Sequence, residues 1–268
     1  MALQLPTSLS PSKVSSFKDC ALAFRFSAID HLPQPPSPSA TKGTLVHRAL
    51  ELLMCEPAGG RSPESALACL DRAHAEMATD PDLTGLALDA EAEAGFLDEA
   101  RCLVRRYFEL EDPSLVNPIG LELRLEATVG SLTLRGVIDR LELDADGGLV
   151  VTDYKTGRTP GVAYEQTRLG GVHFYAFLCE QVLGRRPSRI QLLYLAEPVA
   201  IVATPSDQSI RGLQQRTLAI WKAVERACER DDFRPRPSPL CDWCSYQAYC
   251  PAFGGDPARA VELVAAPA

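Results

Sequence analysis

The chain predicts an α/β fold: a central sheet flanked by helices, with a mainly helical N-terminal part and a cysteine-rich C-terminal tail. Three observations carry this. Residues 134–155 read as two β-strands around a tight turn, residues 39–110 and 164–183 carry helical apolar spacing, and three cysteines lie close together among prolines over 235–253. One domain over 1–268 is expected, helical in 1–115, with the sheet in 116–205, a helix in 206–234 and the tail in 235–255.

The hairpin organises the rest. Its strands run Leu134 to Leu143 and Leu149 to Lys155, and Asp144-Ala-Asp-Gly-Gly148 supplies turn residues that tolerate positive φ. Alternation places Val151, Asp153 and Lys155 on one face and Thr152 and Tyr154 on the other. Asp139 sits among Val137, Ile138 and Leu141, where a lone carboxylate is costly to desolvate without a cation beside it. Two acids and a lysine meeting at the end of a hairpin suit a divalent-metal site with a general base or charge stabiliser next to it. The competing reading is a solvated edge aspartate in a short, common pattern.

Ahead of the sheet, capping serines in 6–17 start a short helix that runs into Phe26 and puts Cys20 within it or just after it. Prolines 33, 35, 36 and 38 make an extended loop. A helix from Ser39 has apolar residues at 45, 46, 49, 50, 52 and 53. His47 lies one turn from Gly43, which allows close approach of a backbone or ligand, and one turn from Glu51. Further helices follow from Ser62 to Thr79 and from Asp89 to Leu110, the latter with a core stripe through Phe96, Leu103 and Tyr107. The strand Ile119 to Ala127 alternates, turning Glu122, Arg124 and Glu126 toward a solvated face. After the hairpin come a helix over Tyr164–Leu183, strands Arg189–Ala196 and Val199–Ala203, and a helix over Asp207–Arg230.

Hydrophobic residues make up 46% and charged residues 23%, the balance of a soluble globular chain. The first residues lack a basic and an apolar leader region, and no segment approaches about eighteen uninterrupted apolar residues, so a cytoplasmic protein without membrane contact is expected. A net charge of −8 excludes a broad basic footprint for nucleic acid. Any such contact must be local, through arginines such as Arg25, Arg48, Arg135, Arg140 and Arg158. With no Gly-x-x-x-x-Gly-Lys-Ser/Thr loop, the chain carries no nucleotide motor of that type.

Nine cysteines, an odd number in a reducing compartment, argue against a disulfide framework. Cys55, Cys69, Cys102, Cys179 and Cys228 fall in helices and read as small buried hydrophobes. Cys241, Cys244 and Cys250 have C-x₂-C-x₅-C spacing, which lets thiolates converge on one metal centre. A tetrahedral site needs a fourth ligand, and Cys20 is the candidate outside an apolar helical run. A Cys₄ set serves zinc and iron–sulfur alike.

Gly136-Val-Ile-Asp139-Arg, the turn, and Val150-Val-Thr-Asp153-Tyr-Lys155-Thr-Gly157 together resemble the PD-(D/E)XK nuclease superfamily. Within it the match is to the RecB-like exonuclease branch, which includes the nuclease domain of AddB and the CRISPR-adaptation nucleases. Gly43 to Glu51 is similar to that branch's G-x-x-x-H-x-x-L-E motif, and Cys20 with the C-terminal triplet is similar to its iron–sulfur staple. Tyr175 matches the tyrosine of a Q-x-x-x-Y motif, although Gly171 stands where the family has glutamine and Gln166 is the nearest substitute.

The resemblance spans nearly the whole chain. It implies a restriction-endonuclease-like core with a mixed sheet, and a metal-dependent DNA exonuclease of repair or recombination acting on single-stranded ends. Mg²⁺ or Mn²⁺ would be held by His47, Asp139, Asp153 and the Tyr154 carbonyl, with an acid near the metal at a position like Glu122. Asp139, Asp153, Lys155 and Tyr175 would be catalytic, and Arg158 and Tyr175 would touch DNA. Cys20, Cys241, Cys244 and Cys250 would hold a [4Fe–4S] cluster, with structural Zn²⁺ as the alternative. A separate helicase subunit is the implied partner. An imidazole ligand suits Mn²⁺ at least as well as Mg²⁺. The alternative function is a catalytically weak or inactive, nuclease-fold scaffold or DNA-binding subunit of a helicase–nuclease complex.

Overall fold

The computed structural model describes residues 3–159 and 161–260, and along 162–170 the backbone alone. Eight α-helices and five strands are present among these: α1 Pro11–Asp19, α2 Ala21–Ala28, α3 Pro38–Cys55, α4 Pro63–Glu76, α5 Pro81–Thr84, α6 Ala90–Tyr107, β1 Pro118–Val129, β2 Leu132–Leu143, β3 Leu149–Lys155, α7 Val162–Leu183, β4 Arg189–Tyr194, β5 Val199–Ala203 and α8 Asp207–Arg230. The strands form one sheet in the order β1-β2-β3-β4-β5. β2 and β3 pair antiparallel with Arg140 opposite Thr152, β3 and β4 pair parallel with Asp153 opposite Leu192, and β4 and β5 pair antiparallel. The sheet is therefore mixed, and α7 is the crossover that a parallel β3–β4 pair requires. No helix among the described residues is long and apolar enough to cross a membrane.

Two compact units emerge, one of residues 36–125 and 137–210, the other of 1–35, 126–136 and 211–268. In the first, α3, α4 and α6 pack on one another through Leu50, Leu53, Leu70, Val104 and Tyr107, and this core takes in Tyr154, Leu193 and Leu195 from the sheet. Ser62 caps α4 and Asp89 caps α6, each accepting a backbone N–H of the first turn. The whole of α7 from Phe174 to Cys179 is buried apart from Tyr175, as expected of a helix apolar on most sides.

In the second unit the predicted first helix is broken in two. Cys20 has extended backbone (φ −158°, ψ 112°), ending α1 and starting α2, so its side chain sits at a corner rather than on a continuous helix face. The tail lies against these helices. Phe26 meets Tyr246 at 5.4 Å between ring centroids and Tyr249 at 6.4 Å, Gln34 Nε2 donates to Tyr246 Oη at 2.5 Å, and Arg236 donates to the Lys18 carbonyl at 2.9 Å. Of the five cysteines expected in the core, Cys69, Cys179 and Cys228 are buried, but Cys55 and Cys102 are exposed. Cys55 is the last residue of α3 and Cys102 lies on the exposed face of amphipathic α6, a distinction that composition does not carry.

Candidate metal and nuclease site

The site is built on the first unit. Alternation along β3 turns Asp153 to the face covered by α7, where Tyr175 Oη donates to Asp153 Oδ1 at 3.3 Å, and Lys155 forms an ion pair with Asp153. From β2, Asp139 accepts the Tyr154 backbone N–H on Oδ2 at 2.7 Å, and that oxygen lies 3.5 Å from His47 Nδ1. His47 reaches it from α3 because Gly43, one turn earlier, has no side chain: a Cβ there would stand 3.2 Å from Thr156 Oγ1, just beyond β3. The His47 ring packs edge-on against the Tyr154 ring, with centroids 5.9 Å apart.

Glu122 completes the group. Ligand atoms of His47, Glu122 and Asp139 all lie within 4.8 Å of one another. Glu122 has a φ of +45°, a left-handed backbone that only a local irregularity forces on a non-glycine residue in a strand. Its consequence is visible in burial. Arg124 and Glu126 are exposed and alternate with buried Leu125 and Ala127, whereas residues 120–123 are all half-buried. The expectation that Glu122 shares a solvated face with Arg124 and Glu126 is thus corrected: the irregularity turns its carboxylate inward.

The electrostatics are those of a group that could hold a cation. Burial, then the charge of Asp139, raises the pKa of Glu122. Burial raises that of Asp153 too, with Asp139 adding and Lys155 opposing. Burial lowers the pKa of His47, but the hydrogen bond and charge of Asp139, and then Asp153, raise it overall. Carboxylates crowded this closely resist ionisation until a cation joins them. The donor set, one imidazole and two carboxylates, fits a divalent ion such as Mg²⁺ or Mn²⁺.

A family model of the PD-(D/E)XK nuclease superfamily matches residues 8–251. The chain belongs to that superfamily. Among solved structures, a Eubacterium rectale protein provisionally described as an exonuclease superposes on this nuclease with a TM-score of 0.53 at 10% identity, covering 90% of this chain and 88% of its own. SSO0001 aligns at a TM-score of 0.40 and 15% identity, over 93% of this chain and 88% of its own. No curated protein sequence matches the chain.

In this nuclease His47 lies beside Asp139, Asp139 beside Tyr154, and Lys155 and Tyr175 beside Asp153, but the atoms at mutual ligand spacing belong to His47, Glu122 and Asp139 and not to Asp153; Arg158 is exposed on the loop after β3. Gln166 lies on α7 outside the residues whose side chains are described. The arginines expected at DNA fare differently. Arg140 is fully buried and cannot reach a nucleic acid. Arg25 is paired with Asp30 and Asp231, Arg48 with Glu51 and Glu76, and Arg135 with Glu126. Each guanidinium is engaged by a neighbouring carboxylate that a linear reading does not reveal.

In the other unit the four candidate cysteines are neighbours. The Cys244 thiol is pushed up by burial and then, against a backbone hydrogen bond at Tyr246, by the charges of Cys20, Cys241 and Cys250. Ser238 N–H donates to Cys241 Sγ at 3.3 Å. Backbone donors to sulfur are what a thiolate ligand needs around it.

Proposed function

We propose that the protein is a RecB-like, divalent-metal-dependent DNA exonuclease of repair or recombination, a single nuclease domain over 1–268 acting on single-stranded ends. The convergence of His47, Glu122 and Asp139, with the Asp153–Lys155 pair beside them, supports this reading. His47, Glu122, Asp139 and Asp153 would hold the ion, with the Tyr154 carbonyl as a further ligand. A divalent ion supplies Lewis-acid polarisation of the scissile phosphate and makes a water more acidic. Lys155, half-exposed, neutralises charge developing on the phosphate oxygens, with Asp153 keeping its ammonium in place. Tyr175 holds Asp153 in orientation and offers its ring to the strand, and Arg158 binds a phosphate.

The net charge of −8 is unevenly distributed. Residues 73–100 carry eight acids and no Lys or Arg, so much of the excess is confined to the end of α4, α5 and the first half of α6. This leaves room for a local basic contact near Lys155 and Arg158.

Cys20, Cys241, Cys244 and Cys250 form a structural [4Fe–4S] centre in this reading, with Zn²⁺ as the alternative; their proximity and the donors to sulfur support a Cys₄ site. Anaerobic purification distinguishes the two, brown for iron–sulfur and colourless for zinc. The nine cysteines, all free, suit a reducing compartment such as the cytoplasm, and a separate helicase would supply strand opening.

Asp153→Ala should lower Mn²⁺-dependent degradation of end-labelled single-stranded DNA by at least about a thousandfold while leaving the circular dichroism spectrum intact. Undiminished cleavage rejects the assignment, and cutting of circular DNA makes it an endonuclease. A scaffold subunit is the second reading, favoured by Gly171 in place of glutamine. Calorimetric Mn²⁺ titration separates them, because a scaffold has no reason to bind the ion.

A further inference from the structure

Directly behind the acid-bearing face of the hairpin lies a second charged cluster. Arg140 follows Asp139 on β2, so its side chain projects from the opposite face, and it has no solvent exposure at all. Glu111 grips its guanidinium with both carboxylate oxygens, Nη2 to Oε2 at 2.9 Å, and Nε lies 2.6 Å from Glu142 Oε2. Nη1 donates to Tyr154 Oη at 2.8 Å and Nη2 to Thr152 Oγ1 at 3.1 Å, while the guanidinium carbon stands 5.7 Å from the centre of the Tyr154 ring.

This arrangement is expensive as packing. Desolvating a guanidinium and two carboxylates is often no more favourable than apolar side chains of the same volume, so stability alone does not account for it. What the network does supply is orientation. Arg140 holds the Tyr154 ring from its hydroxyl and its face, and Tyr107 packs edge-on against the same ring at 5.8 Å. The other edge of that ring meets His47, and the Tyr154 N–H carries Asp139.

We propose that Arg140 is a positioning residue for the metal site: clamped by Glu111 and Glu142, it fixes Tyr154, and Tyr154 sets the imidazole of His47 and the carboxylate of Asp139 at ligand spacing. The proposal rests on the reading of His47 and Asp139 as metal ligands. Arg140 never touches the ion or the substrate and acts only through Tyr154. Its planar fork matters as much as its charge, because a lysine in its place would keep the positive charge without holding both Glu111 and Tyr154.

The test is Mn²⁺ titration calorimetry on the full chain, with thermal melting of the metal-free protein alongside. Arg140→Lys keeps the charge balance and should fold, but bind Mn²⁺ about tenfold more weakly, the scale of losses from residues that orient ligands. Tyr154→Phe keeps the ring and removes the oxygen that Arg140 holds. It should weaken Mn²⁺ about threefold or more, with little change in melting temperature, and lower kcat while leaving KM for DNA unchanged. If wild-type protein binds no Mn²⁺, the metal-site reading falls and this proposal with it. If wild type binds Mn²⁺ and both variants bind it within twofold, the metal site stands and the positioning role of Arg140 is overturned, its network then being purely structural. Should Arg140→Lys fail to fold, Tyr154→Phe alone decides between the same outcomes.

Discussion

The two faces of the β2–β3 hairpin hold buried charge in opposite ways. On one, Arg140 stands between Glu111 and Glu142, one cation paired with two acids, and burial raises the pKa of Glu142 there as well. On the other, His47, Glu122 and Asp139 gather at ligand spacing, Lys155 pairs with Asp153 beside them, and the pKa values of Glu122 and Asp153 are raised. In the first cluster the cation sits at the centre and pairs with both acids, whereas in the second Lys155 pairs with Asp153 while Glu122 and Asp139 crowd His47; where the cation stands, rather than burial, separates scaffold from site.

The comparison breaks most severely at Arg140. Arg140→Met leaves Glu111 and Glu142 facing each other without a cation and should cost about 3–5 kcal/mol in urea denaturation. A loss below about 1 kcal/mol would mean that Arg140 is not what makes the burial of the two acids tolerable.

On the opposite face the sign reverses. Glu122→Gln removes one of the crowded carboxylates, so the metal-free protein should gain about 0.5–1 kcal/mol, while Mn²⁺ affinity falls about tenfold or more. The pH dependence follows from the same groups. Acids whose folded pKa is raised cost stability as pH climbs through those raised values, and the raised pKa of His47 contributes stability at low pH that is lost as pH rises through it. All three have one sign. Metal-free protein should melt at higher temperature as pH falls from alkaline toward the upper end of the ordinary carboxylate range, and saturating Mg²⁺ should flatten this profile. A profile unaffected by Mg²⁺ would place the titrating groups elsewhere.

The mildest change sharpens the geometry. In Gly43→Ala the new Cβ would lie 3.2 Å from Thr156 Oγ1. The better helix propensity of alanine offsets the crowding, so net stability should move by less than about 0.5 kcal/mol. Mn²⁺ affinity should still fall about two- to threefold as His47 is displaced, measured by the same titration.

Much of the site was legible because local rules reach that far. Period-two alternation assigned Asp153 and Lys155 to one face and Tyr154 to the other, and helical spacing put Gly43 one turn before His47. Alternation misplaced Glu122, which the family resemblance alone pointed to, because alternation assumes a regular strand and a single residue at φ +45° undoes it. Arg140 was read as a surface contact because charge is written in the sequence, but the carboxylates that make its burial tolerable are not. Glu111, its bidentate partner, is twenty-nine positions away.

The amino-acid sequence by itself determined the order of helices and strands, the hairpin with its acids and lysine, and the spacing of the tail cysteines, since each follows from short-range periodicity and turn chemistry. The tertiary structure alone decided which acids a cation holds and which stand beside other acids. Pairing energies depend on distances between residues remote in sequence, and on how much water remains between them.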